Sequence, residues 1–257
     1  MEGFFALALD LNVSIDFLHD KFLTLEELSG YKTLLVPTKP IIGERTAGLL
    51  RDYVKQGGTI VVESRLGRFK GNGYVCGDPP HGLQDVFGCK TVAIFREDNV
   101  KIGLKDGVLE GRYEWEYYEP TTGEVLGRNE KNGSPAVIRS TYGKGSTLLI
   151  GTNIGQEYSI TRNEAMRKFL SPYLTSEMSV ENIVSPTTFS VRLVHCKEKD
   201  VLFLMNFGDN HEKPTVRMEQ AYARIQDIET DEILGTAVKD ISIKVPPKTA
   251  KILLLDR

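Results

Sequence analysis

Residues 31–67 read YKTLLVPTKPIIGERTAGLLRDYVKQGGTIVVESRLG, a pattern of strand, loop, helix, turn and strand. The runs at 33–36 and 59–62 are short and mostly apolar, the second rich in β-branched residues. Such runs suit strands covered on both faces, hence a parallel sheet between helices. Between them Ala47, Leu50 and Val54 recur at helical spacing, and Leu49 and Tyr53 widen the stripe. Glu44 suits the positive end of the helix dipole, and Gly57-Gly58 closes the helix, because the residue after a helix usually needs positive φ. The result is one right-handed βαβ unit. Ligands gather at the carboxyl ends of strands in such sheets, which here are residues 37–40 and 63–67.

Working outward, residues 3–12 (GFFALALDLN) predict a helix, 13–18 a strand, and 25–28 one helical turn. A doubly wound domain normally opens with a strand, and none precedes this first helix. After Gly67 the texture is turn-rich: Gly71-Asn72-Gly73, then Gly77-Asp78-Pro79-Pro80. A short helix at 83–87 and strands at 90–95, 100–104 and 112–118 follow. Residues 135–150 predict a hairpin, and 161–173 a helix. From about Ser179 the pattern is all β, with strands expected at 189–194, 201–207, 215–218, 223–228, 241–245 and 251–255. The domains are set at 1–177 (α/β) and 178–257 (all β), with the boundary near 175–179.

Composition removes several function classes. The chain of 257 residues is long enough for two domains. A formal charge of −3 gives no field favouring nucleic acid. Three cysteines do not make a disulfide framework. No apolar run reaches the roughly 20 residues of a membrane helix, and no signal peptide is visible. The expected location is cytoplasmic.

Four segments, in order, carry a resemblance: VSIDF at 13–17, YKTLLVP at 31–37, LRDYVKQGGTIVV at 50–62 and PAVIRSTYGKGSTLLIGT at 135–152. Together they resemble the non-catalytic C-terminal portion of glycoside hydrolase family 42 β-galactosidases. That resemblance implies a fold: a flavodoxin/class I amidotransferase-like doubly wound α/β sheet with an appended β-hairpin region, then a small antiparallel β-sandwich domain. It also implies self-association as a homotrimer, a catalytic β/α barrel as a neighbouring domain or subunit, and β-galactosidase as the parent activity. The barrel and its catalytic pair do not match any part of this sequence.

Retaining glycosidases need two carboxyl groups about 5–5.5 Å apart. No such pair is assigned here, so no catalytic residue is named. Glu63 stands at a strand end and reads as a polar margin residue paired with Arg65, the alternative being a catalytic role. Amidotransferases of the resembled fold place a cysteine nucleophile where this chain has Glu63-Ser64-Arg65. Ser64 as nucleophile is the lesser alternative, because no Gly-x-Ser-x-Gly surrounds it and no His-x-Glu occurs. Cys76, His81 and Cys89 lack zinc spacing, so no metal or cofactor is expected. In YEWEYYE (113–119), Tyr113, Trp115 and Tyr117 are expected on one strand face and Glu114, Glu116 and Tyr118 on the other. The aromatic row reads as interface or packing, and alternatively as a carbohydrate-binding module centred on Trp115.

Overall fold

Helix α1 (Glu2–Asp10) is closed by Asn12 at φ +53, with the Asn12 N–H on the Leu9 carbonyl (3.0 Å) and the Val13 N–H on the Ala8 carbonyl (2.8 Å). Asparagine tolerates this left-handed position, and the two bonds absorb carbonyls that the helix end leaves free. Residues 13–18 then run without joining a sheet, so the strand expected there is corrected to a connecting segment. Its apolar residues alternate as a strand's would, but no strand among the described residues pairs with it, and Phe17 is 63% exposed. The computed structural model describes residues 2–69, 79–174, 178–184 and 187–257.

The chain divides into two units, Met1–Leu7 with Phe17–Tyr173, and Ala8–Asp16 with Leu174–Arg257. In the first, α2 (Leu25–Ser29) begins at Thr24, whose hydroxyl accepts the Glu27 N–H at 3.1 Å. The βαβ unit follows as β1 (Thr33–Val36), α3 (Glu44–Gln56) and β2 (Thr59–Val62), with Thr33 opposite Thr59 in a parallel ladder. Helix α3 buries Ala47, Leu50, Tyr53 and Val54 and ends at Gly57, φ +125, a conformation that suits glycine alone.

The remaining elements of this unit are α4 (Leu83–Phe87), β3 (Cys89–Arg96), β4 (Val100–Leu104), β5 (Gly107–Pro120), β6 (Glu124–Asn129), β7 (Pro135–Tyr142), β8 (Gly145–Ile150), β9 (Thr152–Asn153), α5 (Ile154–Thr161) and α6 (Glu164–Leu170). One nine-stranded sheet has the order β1-β2-β8-β7-β6-β4-β5-β3, with β9 on β5. Strands β1, β2 and β8 run parallel, while the others pair antiparallel. The β-hairpin region is therefore continuous with the parallel strands. The single helix expected at 161–173 is corrected to α5, α6 and a short 3-10 turn. Arg162 at φ +51 ends α5, and Asn163 caps α6 by accepting the Met166 N–H at 2.9 Å.

The first core gathers Leu28, Ala47, Leu50, Tyr53, Val54 and Ile60 with Phe87 and Tyr118. Cys89 is buried in it, as a small apolar residue would be. Cys76 and the turn at Gly71-Asn72-Gly73 lie outside the described residues, as does part of the expected boundary. Among the described residues no cluster of three or more His, Cys, Asp or Glu side chains is arranged to hold a metal ion, and no helix is long and apolar enough to cross a membrane.

The second unit contains β10 (Met178–Glu181), β11 (Phe189–His195), β12 (Lys199–Asn206), β13 (Thr215–Asp227), β14 (Ile233–Ser242) and β15 (Thr249–Asp256). They form one antiparallel sheet of order β10-β13-β15-β12-β11, with β14 on β13. The strands expected at 215–218 and 223–228 are one strand, β13, whose register shifts between Arg217 and Tyr222. Its first part pairs with β10 and its second with β15. Met178, Val216 and Ile241 share one core with Phe189, Leu204 and Leu253. The strand expected at 241–245 lies mostly earlier, in β14. Ala8–Asp16 belongs to this unit, and Asn12 Oδ1 accepts the Val191 N–H at 2.9 Å.

Candidate functional site

Strand β2 ends at Val62, and Glu63-Ser64-Arg65 turns out of the sheet with Arg65 at φ +68. Glu63 is 3% exposed. Its Oε1 accepts the Thr38 N–H (3.2 Å) and lies 3.0 Å from the Thr38 hydroxyl, while Oε2 accepts the Gly155 N–H at 3.0 Å. Gly155 is in the first turn of α5, where Asn153 makes no side-chain cap. A strand-end carboxylate thus caps a helix from outside it, a favourable place for negative charge. Burial raises the pKa of Glu63, against these bonds from Gly155 and Thr38.

Ser64 is fully buried, with Oγ 2.9 Å from Glu114 Oε1 and 3.0 Å from Asn153 Oδ1. Its partners are a carboxylate and an amide rather than an imidazole base. The Arg65 Nε donates to both Glu114 oxygens (2.6 and 2.7 Å), and the Arg65 N–H donates to Glu116 Oε1 (2.9 Å). The Tyr118 hydroxyl donates to Glu116 Oε2 at 2.6 Å. Burial raises the pKa of Glu116, and burial first, then Glu116, raises Tyr118. Arg112 pairs with Glu157 of α5, and Asn153 Nδ2 donates to the Arg112 carbonyl at 3.3 Å.

Strand β5 supplies most of these groups because it is bulged. Tyr113 stands at φ +71, and the register against β9 shifts between Arg112 and Trp115. Beyond the bulge, Glu114, Glu116 and Tyr118 form the buried polar row. Trp115 is 4% exposed and stacks on Phe95 with ring centroids 4.7 Å apart. Tyr117 is half-buried, and Tyr113 is exposed, its hydroxyl accepting from Gln156 Nε2 at 3.1 Å. The bulge breaks the alternation that a row of three rings requires, so the expected row over Tyr113, Trp115 and Tyr117 is corrected to a covered Trp115 flanked by two differently exposed tyrosines.

Glu63 and Arg65 therefore enter one buried network, but the expected Glu63–Arg65 pair does not form: Arg65 pairs with Glu114. The sequence reading missed Thr38, Asn153 and Gly155, which carry no local signal. Glu114 and Glu116 did carry one, since carboxylates alternating through an aromatic strand are rarely left without partners. Chemically, every carboxylate here is held by donors from the same chain. The arrangement ties β1, β2, β5 and α5 together, with Glu63, Glu114, Glu116 and Glu157 all buried.

The structure is thus a mixed α/β unit whose strand-end site is filled by its own side chains. Its structural likeness is to glycoside hydrolases: a catalytic variant of Gan42B, a GH42 β-galactosidase from G. stearothermophilus, superposes with a TM-score of 0.76 at 21% identity, over 99% of this chain and 36% of that one. Among curated sequences, β-galactosidase GalA of Bacillus licheniformis is 25% identical over 236 residues, covering 83% of this chain and 31% of the relative. β-Galactosidase GanA of Bacillus subtilis (strain 168) is 25% identical over 220 residues, covering 82% and 31%. The family model described as the β-galactosidase trimerisation domain matches residues 1–177, and the chain belongs to that family. It spans about a third of the length of these curated relatives.

Proposed function

We propose that this chain is the self-associating, accessory part of a β-galactosidase-like glycoside hydrolase, and that the bond-breaking carboxylate pair belongs to a β/α barrel outside it. The family match over residues 1–177 carries this reading. The buried network supports it, because the carboxylates nearest a strand end are engaged in holding elements together. Residues 1–177 act as the assembly domain, of amidotransferase-like type, for which the parallel trio β1-β2-β8 speaks. Residues 178–257 act as the appended β domain. The assembly is a homotrimer, and its place is the cytoplasm.

Sedimentation velocity on the purified chain tests the assembly. A species of three chains is expected, and a monomer at all concentrations would overturn the reading. Incubation with a chromogenic galactoside tests the accessory role. No turnover is expected from this chain alone; turnover that persists after contaminating glycosidases are removed would reverse that conclusion.

A further inference from the structure

In the parallel part of the first sheet, Ile60, Val61 and Val62 of β2 and Leu148, Leu149 and Ile150 of β8 are buried, whereas all four residues of β1 are only half-buried. Among the described residues β1 pairs with β2 alone. The Lys32 and Val36 carbonyls accept the Thr59 and Glu63 N–H groups (3.1 and 3.4 Å), and alternate residues of a parallel strand face each neighbour. Thr33 and Leu35 therefore turn their N–H and carbonyl groups away from the sheet. The strand is nonetheless fixed at its start, where the Thr33 hydroxyl donates to the Tyr173 carbonyl at 2.6 Å.

Natural edge strands carry a charge, a proline or a bulge that discourages pairing. Residues 33–36 read Thr-Leu-Leu-Val and carry none of these. Leu34 and Val36 pack against the first core, and Leu35, on the opposite face, is half-buried as well. Strands covered on both faces have this composition, and they lie inside parallel sheets rather than at their margins.

Helix α1 shows which way a further strand runs. Its first turn lies at the carboxyl end of β2: Gly3 packs so closely on Gly155 that a side chain there would strike the Gly155 carbonyl, and the Gly155 N–H donates to Glu63. A strand laid beside β1 in the same direction ends at that level, whereas an antiparallel one ends on the far side of the sheet. We propose that the free edge of β1 receives a parallel β-strand, apolar on both faces, from the barrel-bearing part of the assembly, held by main-chain bonds to Thr33 and Leu35. The source of the strand rests on the accessory role proposed above, and this chain spans only 31% of each curated relative, which leaves ample polypeptide to supply it. A second copy meeting β1 by the same edge would pair antiparallel about a twofold axis and close a dimer.

Amide hydrogen exchange of the full chain by NMR tests this, with the synthetic peptide GGTIVVES, the sequence of residues 57–64, as the strand probe. The Thr33 and Leu35 amides are expected to exchange quickly in the chain alone, beside slow Leu34 and Val36 amides, and to slow at least about tenfold with millimolar peptide. A nitroxide on the carboxyl end of the peptide is expected to broaden the Thr38 amide before that of Lys32. Leu35→Pro removes an outward N–H, which an edge strand tolerates. It is expected to abolish the slowing at Thr33 while the Val61 amide stays protected. Thr33 and Leu35 amides already slow in the chain alone overturn the proposal, as does a peptide without effect, a tag that broadens Lys32 first, or a dimer of the chain that Leu35→Pro dissolves. These readouts are independent of sedimentation to a trimer and of galactoside turnover, so the strand site can fail with the accessory role intact.

Discussion

Asp200, fully buried in the second unit, shows how a single carboxylate sets acid stability. It accepts from the Tyr222 hydroxyl (2.8 Å), from His195 Nδ1 (3.0 Å) and from Arg257. Burial raises its pKa, but Arg257, Tyr222 and His195 outweigh burial and bring it down to about 2. A carboxylate depressed in the folded state stabilises above its unfolded value and loses that contribution as pH falls through about 2. Asp200→Asn is therefore expected to destabilise the second unit at pH 7 by about 2 kcal/mol, discounted for the partly exposed Arg257. The difference from the parent chain should shrink in acid, as urea melts at both pH values will show. Glu63 has the opposite sign. Its contribution is present below the ordinary glutamate value and lost as pH rises through its raised one. Trp115, the single tryptophan, is expected to emit as a buried indole and to stay unchanged on adding millimolar galactoside; a red-shifted or sugar-responsive emission would favour the carbohydrate-binding reading.

Helix α3 is where element and sequence agree most closely, because its whole cause is local: a stripe of Ala47, Leu50 and Val54, with a glycine at its end. Leu50, 3% exposed, sits at the centre of that stripe. Leu50→Ala is expected to cost about 3 kcal/mol in urea unfolding of the first unit, and a cost below about 1 kcal/mol would mean the stripe is not the packing face. The parallel strands and the β7–β8 hairpin were legible for the same reason. Less legible were elements whose causes lie far away in sequence. Residues 13–18 have strand-like composition but no partner strand. Arg162 takes a left-handed conformation that no side chain advertises. The bulge at Tyr113 changes what β5 presents, so the aromatic residues were found and their shared face was not. In the site, Glu63 stood out by its place after β2, whereas Asn153 and Gly155 reach it only once β8 has paired with β2.

At the scale of the whole molecule, two units with separate cores imply two sensitivities. Leu204 is fully buried in the second core, and Leu50 lies in the first. Calorimetry of the parent chain is expected to depart from a single two-state transition, with Leu204→Ala and Leu50→Ala each lowering a different component. One sharp transition moved equally by both substitutions would show instead that the units melt as one body.

The ribosome meets a scheduling problem in the second unit. Ala8–Asp16 is translated ahead of residues 17–173, yet the strands it joins begin at Met178, and the Val191 amide that Asn12 receives is translated later still. A nascent chain must keep that stretch available while Phe17–Tyr173 of the first unit is synthesised. For the same reason, a tail excised at Tyr173 would leave behind a piece of its own architecture.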